Sequence, residues 1–338
     1  MAPHLIPGWL HNPGWHCAST ALADAAAFLG HPLSEAMCFG LGAGLGFAYL
    51  SGDIFYPTRL TATRSRILEL NFFENLGLGR TWLQNPDPER ATAAAKAGLD
   101  QGVPFLMRAD IFHLDYYKSK AHFPGHVILL WGYDDQAKTA LVADTERPGL
   151  QEVPLASLQR ARFSDQPGYS VRGDNIPVDW NWKDPDLRPA VRRALRKQAQ
   201  DLIYPEYAAA GIFGFPAFIR ALADLPDWGR AKDWQWSARW FYQVIEKRGT
   251  GGGAFRKLYA RFLEEAAALV PEAAAIAPAG EMFAISELWS ELSRRLKAIS
   301  EQDRPEGLGP AANLLGQIYE REKKMMEGIV KAPELQPV

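Results

Sequence analysis

Cysteine is nearly absent: only Cys17 and Cys38 occur in 338 residues. So sparse a pair is no disulfide framework and fits a reducing compartment. An excess of charge of one sign is missing too, since 37 Lys and Arg against 39 Asp and Glu leave a net charge of -2. That argues against bulk attraction to nucleic acid or to an anionic membrane. No stretch approaches the roughly 20 apolar residues of a membrane span; Phe39 to Leu50 comes nearest and is interrupted by glycines. The opening MAPHLIPGWLHNPGWHC lacks a basic start followed by an apolar core, so no signal peptide is expected. Together these absences lead to the expectation of a cytoplasmic protein with neither nucleic acid nor membrane as partner.

What is present is the texture of a globular protein, 47% hydrophobic and 22% charged. The length is large for one core and favours two domains. Residues 17–29 (CASTALADAAAFL) predict a helix that stops at Gly30-His31-Pro32, and a second helix is expected around Ser34 to Phe39. Residues 86–101 predict an amphipathic helix. Strands are expected at Val103–Arg108, His126–Tyr133 and Ala140–Asp144, the last two forming an antiparallel hairpin across Asp134-Asp135. A helix carrying a cysteine followed by antiparallel strands makes the first domain α+β. Between Arg172 and Pro189 three prolines and several aspartates break the periodicity and mark a connector. Helical spacing dominates beyond it. The reading is a catalytic α+β domain over 1–171 and an all-α helical domain over 172–338.

Cys17 opens a helix, where unpaired N–H groups and the helix dipole favour a thiolate. A thiolate nucleophile needs a base held by a third group. His126 follows Gly125 at the head of an apolar strand, on a rigid element. Asp144 closes the next strand, and pairing of the two strands would bring it to His126, fixing the imidazole tautomer. Each residue also has an ordinary reading, as a buried small hydrophobe, a hydrogen-bonded strand residue and a turn residue. Their conjunction in this order favours catalysis, with Cys38 as core. For an oxyanion, the Cys17 backbone N–H is one donor and Asn12, the only upstream amide, a candidate second.

Other patterns are weaker. The glycines from Gly40 to Gly46 fail the dinucleotide spacing and suggest tight backbone packing. Gly249 to Gly253, flanked by Lys247, Arg248, Arg256 and Lys257, could cradle a phosphate or form a plain interhelical loop. Trp228, Trp234, Trp236 and Trp240 suggest core packing, with an aromatic substrate wall as the alternative. Asp110, His113, Asp115, Tyr116 and Tyr117 form a polar-aromatic patch, in which Asp110, Asp115 and Tyr116 are candidate substrate contacts and an aspartate would meet an amine. No HxxxH or CxxC spacing indicates a metal, and no bound cofactor is expected.

The segment WHCASTALADAAAFLGHPLSEAMCFGLGAGLGFAY resembles the N-terminal domain of the butirosin-pathway acyltransferase family. GHVILLWGYDD and ALVADTERPGLQEVPLASLQRARF resemble its His and Asp regions, and YQVIEKRGTGGGAFRKLYARFLEEAA its helical C-terminal domain. The resemblance implies a papain-like fold and cysteine-dependent acyl transfer. In the best-known member of that family an aminoacyl group moves from a carrier-protein thioester to the amine of an aminoglycoside, and the resemblance carries the chemistry rather than that substrate pair. It implies Cys17 as acyl acceptor, His126 as proton shuttle and Asp144 as its orienting group. The expected partners are an acyl carrier protein or another acyl-thioester donor, with phosphopantetheine as the donor's arm, and a small-molecule amine acceptor. A homodimer is left open. The alternatives are a cysteine peptidase or amidohydrolase of the same fold, or a non-catalytic binding module.

Overall fold

The computed structural model describes residues 3–167, 169–183, 186–205 and 211–335. In chain order the first elements are β1 (His4–Leu5), α1 (Cys17–Phe28), α2 (Glu35–Leu41), β2 (Leu45–Ser51), β3 (Arg59–Arg64) and α3 (Leu68–Leu76). Next come α4 (Pro88–Asp100), β4 (Phe105–Ala109), β5 (His126–Asp134), β6 (Thr139–Ala143), β7 (Gln151–Pro154) and α5 (Leu155–Arg162). The short β8 (Asp165–Gln166), β9 (Tyr169–Ser170) and β10 (Asn175–Pro177) follow. The remainder is helical: α6 (Leu187–Ile203), α7 (Gly214–Asp224), α8 (Trp234–Glu246), α9 (Arg256–Leu269), α10 (Glu272–Ile276), α11 (Ala279–Gln302) and α12 (Leu308–Lys331). The protein is thus mixed α+β with a helical C-terminal region. Among the described residues no helix is long and apolar enough to cross a membrane.

Two compact units form, Met1–Cys38 with Gly77–Pro185, and Phe39–Leu76 with Asp186–Val338. This differs from the single cut at 171/172 expected from the sequence, because residues 39–76 join the helical unit. Residues 184 and 185 of the expected connector lie outside the described residues.

The first unit is built on an antiparallel sheet in the order β10-β4-β5-β6-β7, with β1 also paired to β5. Strand β5 is the spine. Its residues from His126 to Gly132 are buried on both faces, as a continuous apolar run between sheet neighbours requires. Helix α1 packs against β5, and the Phe28 ring meets Trp131 edge-on at 5.1 Å. The β5–β6 turn is set by Asp134, whose Oδ1 accepts from the N–H groups of Gln136 (2.8 Å) and Ala137 (2.9 Å), the turn chemistry expected of aspartate. Register pairs Leu129 with Ala143 and Leu130 with Val142. That pairing places Asp144 at the end of β5 where His126 stands.

The second unit is not all-α. It includes the hairpin β2–β3, whose alternating Leu45, Phe47 and Tyr49 are buried. Phe47 stacks on Phe218 at 3.9 Å and lies 6.0 Å from Trp289. Period-two burial identifies a strand but not the partner that covers it, and here helices of the C-terminal region supply the cover. The glycine run beginning at Gly40 serves close packing: a Cβ at Gly40 would lie 1.9 Å from the Phe262 ring. The run before α9 is also structural. Residues Gly251 to Phe255 all have positive φ, Gly252 N–H donates to Thr250 Oγ1 (3.0 Å) and Gly253 N–H to Glu246 Oε1 (3.2 Å). Those two amides are committed internally, which favours the plain interhelical loop over a phosphate cradle. Trp228 is fully buried with its N–H on the Tyr49 hydroxyl (3.0 Å), and Trp234 is buried as well. The outer pair Trp236 and Trp240 meet edge-on at 6.3 Å.

Candidate active site

Cys17 is the first residue of α1, and the cap before it is unusual. His16 takes an extended conformation and its Nδ1 accepts from the Ser19 N–H at 3.3 Å, a task Ser, Thr, Asp or Asn ordinarily performs. The approach to the cap is held by Glu35 at the start of α2. Its carboxylate accepts from the backbone N–H groups of Trp15 (3.0 Å) and His16 (2.7 Å) and from the Thr20 hydroxyl (3.3 Å). Burial pushes the Glu35 carboxyl above its usual range, and these donors pull against it. Gly14 makes the approach possible, since a Cβ there would lie 2.2 Å from Thr20 Oγ1 and 2.7 Å from Glu35 Oε2. Cys17 keeps 9% of its surface whereas Cys38 keeps 0%, so only the former is placed for a reagent to reach.

His126 lies at the head of β5, buried, with Nε2 2.8 Å from Asp144 Oδ1. Its ring also hydrogen-bonds the Cys17 side chain. With Nε2 turned to Asp144, the other ring nitrogen is the one left for sulfur. Burial opposes a charge on His126, but the charges of Asp144 and Cys17 and the hydrogen bonds to both raise its pKa to about 10. Asp144 shows the converse. Burial pushes its carboxyl up, yet His126, Tyr116 and Thr145 hold it below the usual range. Oδ1 accepts from His126, from Tyr117 (3.3 Å) and from Thr145 Oγ1 (2.8 Å), and the Tyr116 hydroxyl donates to Oδ2. The Arg147 guanidinium lies over the Tyr117 ring at 4.4 Å and the Tyr116 ring at 4.9 Å. Thr145 itself has φ of +44°, rare for a β-branched residue. The Gly14 N–H, 3.0 Å from its carbonyl, ties this strained residue to the loop before Cys17.

The structure therefore brings Cys17, His126 and Asp144 together in the first unit. It does not bring Asn12 to them: that residue is exposed, and among the described residues only its backbone N–H is engaged, on Asp24 Oδ1 at 3.0 Å. The inward residue is His11, with Nδ1 2.6 Å from Asp24 Oδ2 and both side chains 1% exposed. Burial lowers its pKa, but Asp24, the Arg147 carbonyl and Asp144 together raise it. Of the proposed substrate contacts, Tyr116 is spent on Asp144. Asp110 is buried and accepts from the N–H groups of Phe112 and Phe123, from Ser164 and from His122, so it organises its loop. Asp115 is exposed and accepts from Ser157 at 3.0 Å.

Residues 16–145 match the family model described as butirosin biosynthesis protein H, N-terminal, and residues 156–329 match a domain of unknown function, DUF4872. The chain belongs to the DUF4872 family, and its N-terminal part is similar to the N-terminal domain of butirosin biosynthesis protein H. The N-terminal match begins at the helix cap His16 and ends at Thr145, so Cys17, His126 and Asp144 fall inside it and His11 outside. No curated protein matches the chain.

Proposed function

We propose that this butirosin biosynthesis protein H relative is a cysteine-dependent acyltransferase on a papain-like fold, moving an acyl or aminoacyl group from a thioester to an amine. The observation that carries the reading is the continuous Cys17–His126–Asp144 chain, in which the imidazole bonds both the thiol and the carboxylate and both raise its pKa. An imidazolium against sulfur favours the thiolate, the reactive species. The thiolate attacks the thioester carbonyl, the S-acyl bond to Cys17 forms, and the donor's sulfur leaves, taking the proton of His126. The acceptor amine then attacks the Cys17 thioester and gives its proton to the neutral His126. The amide forms, the Cys17 thiolate is released, and the starting ion pair is restored. The backbone N–H of Cys17 at the helix start faces the developing oxyanion, aided by the dipole. A carrier-protein phosphopantetheine thioester is the donor we favour, because the family name attaches the fold to natural-product assembly.

Intact-mass measurement after incubation with an acylated carrier protein tests this. The expected result is a single acyl adduct that is absent in Cys17→Ala and is discharged by a primary amine with formation of the amide. Loss of the adduct at one rate with and without amines would instead assign the site to hydrolysis.

A further inference from the structure

We propose that Asp110, His113 and His122 bind a divalent transition metal of the zinc type and so clamp the two ends of the loop between β4 and β5. The three residues each offer one ligand atom, and these atoms all lie within 4.8 Å of one another. Tetrahedral zinc with bonds near 2.0–2.1 Å wants ligand atoms roughly 3.3 Å apart, so the ligand atoms must shift by the order of an ångström to close on the ion. Two imidazoles and a carboxylate suit zinc and its neighbours in the first transition row, and the absence of thiolate argues against softer ions. The fourth position falls to water, since His122 is exposed.

The groups behind the ligands hold them in place, as metal sites require. Asp110 Oδ1 is fixed by the N–H groups of Phe112 (3.1 Å) and Phe123 (2.8 Å), one from each end of the loop, and Ser164 Oγ donates to Oδ2 at 2.6 Å. The His122 ring stacks on Phe112 at 4.0 Å and places Nδ1 2.7 Å from Asp110 Oδ2. The His113 ring lies 5.8 Å from it. Residues 110–125 are long for a connection inside a compact unit, and they carry Tyr116 and Tyr117, whose hydroxyls reach Asp144. A metal joining Asp110 and His113 at one end to His122 at the other would hold that tyrosine pair against the carboxylate. This inference is independent of the acyl-transfer reading.

Tag-free, chelator-treated full-length protein dialysed against zinc should retain one equivalent by elemental analysis. Cobalt in place of zinc should give visible d–d absorption. Cys17→Ala should retain the metal, which removes the thiolate as a ligand. His113→Ala and His122→Ala should each weaken binding at least tenfold, and His4→Ala should not. Zinc should also slow hydrogen exchange in peptides from 110–125 in the wild type, Cys17→Ala and His4→Ala, and not in His113→Ala or His122→Ala. Absence of stoichiometric binding, or undiminished binding in a folded His113→Ala/His122→Ala double variant, would overturn the proposal.

Discussion

The Tyr116 hydroxyl donates to Asp144 Oδ2, the carboxylate oxygen that His126 does not use. The two contacts divide the carboxylate, one oxygen carrying His126, Tyr117 and Thr145 and the other Tyr116 alone among the described residues. Tyr116 is therefore a positioning residue. In Tyr116→Phe, Oδ2 becomes a buried acceptor without a donor, a loss of about 1–3 kcal/mol. The expected outcome is a lower melting temperature and a fall of roughly tenfold or more in the rate at which Cys17 is acylated, with KM for the donor little changed. A large rise in KM with an unchanged rate constant would mean that Tyr116 contacts the donor instead.

The raised His126 pKa gives a pH signature. A free thiol of pKa near 8.5 loses about 75-fold in thiolate between pH 8 and pH 6. Cys17, paired with an imidazolium whose pKa is about 10, should lose only a few-fold in its alkylation rate over that interval. Asp144→Asn removes the anion that helps hold the proton on His126, so its profile should move alkaline. Stability follows the same linkage. A folded pKa above the unfolded 6.5 means that the His126 contribution is fully present below pH 6.5 and is lost as pH rises through about 10. Between about pH 6.5 and about pH 8.5 the folded thiolate–imidazolium pair and the unfolded thiol and neutral imidazole carry the same number of protons. The melting temperature of the wild type should therefore fall more steeply than that of His126→Gln above about pH 8.5. Equal slopes would show that the pair does not couple to folding.

Much of this arrangement is legible in the sequence. A cysteine at a helix start, a histidine heading an apolar run and an aspartate closing the next are local features, and the Asp134 turn joins the two strands in the expected way. Contacts made through space are not legible. Tyr116 and Tyr117 sit on an irregular loop with no period to say which way they face. Glu35 reaches back to His16 from the next helix. In the loop before α1 no periodicity tells His11 from Asn12, and the amide was the natural choice by chemistry alone. The hairpin β2–β3 shows its alternation, but the helices that bury it lie far along the chain.

The second unit has its own vulnerable point. Glu322 accepts from Arg256 Nε (2.8 Å) and Nη2 (2.9 Å) and from Trp289 Nε1 (2.7 Å), with Arg256 and Glu322 both fully buried. Arg256 Nη1 also donates to the carbonyls of Thr63 (2.9 Å) and Ala254 (2.8 Å), fastening the left-handed turn that precedes α9. Removing one partner of a buried pair leaves an uncompensated charge and costs about 3–5 kcal/mol. Glu322→Ala should therefore unfold the helical unit at markedly lower denaturant, whereas the exposed pair Arg188–Asp186 should tolerate Arg188→Ala with little change in midpoint, since alanine keeps the backbone N–H that Asp186 caps. Similar midpoints for the two variants in chemical denaturation would contradict this ranking.

His11 and Asn12 separate two accounts of the loop before the cysteine. If an amide side chain from this loop served the reaction, Asn12→Ala would slow Cys17 acylation. The structure leaves that side chain exposed and commits the buried place to His11, paired with Asp24 on α1 and within reach of the Asp144 charge. Asn12→Ala should then leave acylation within about twofold, because its engaged group is a backbone N–H that alanine keeps. His11→Ala strands the Asp24 carboxylate, buried and deprived of its ring partner, at a cost of about 3 kcal/mol or more. The double change His11→Leu/Asp24→Leu removes both polar groups together and should recover most of that stability. If acylation stays slow in the refolded double variant, His11 acts on the reacting pair through its field; if it returns with stability, His11 serves only to seat α1.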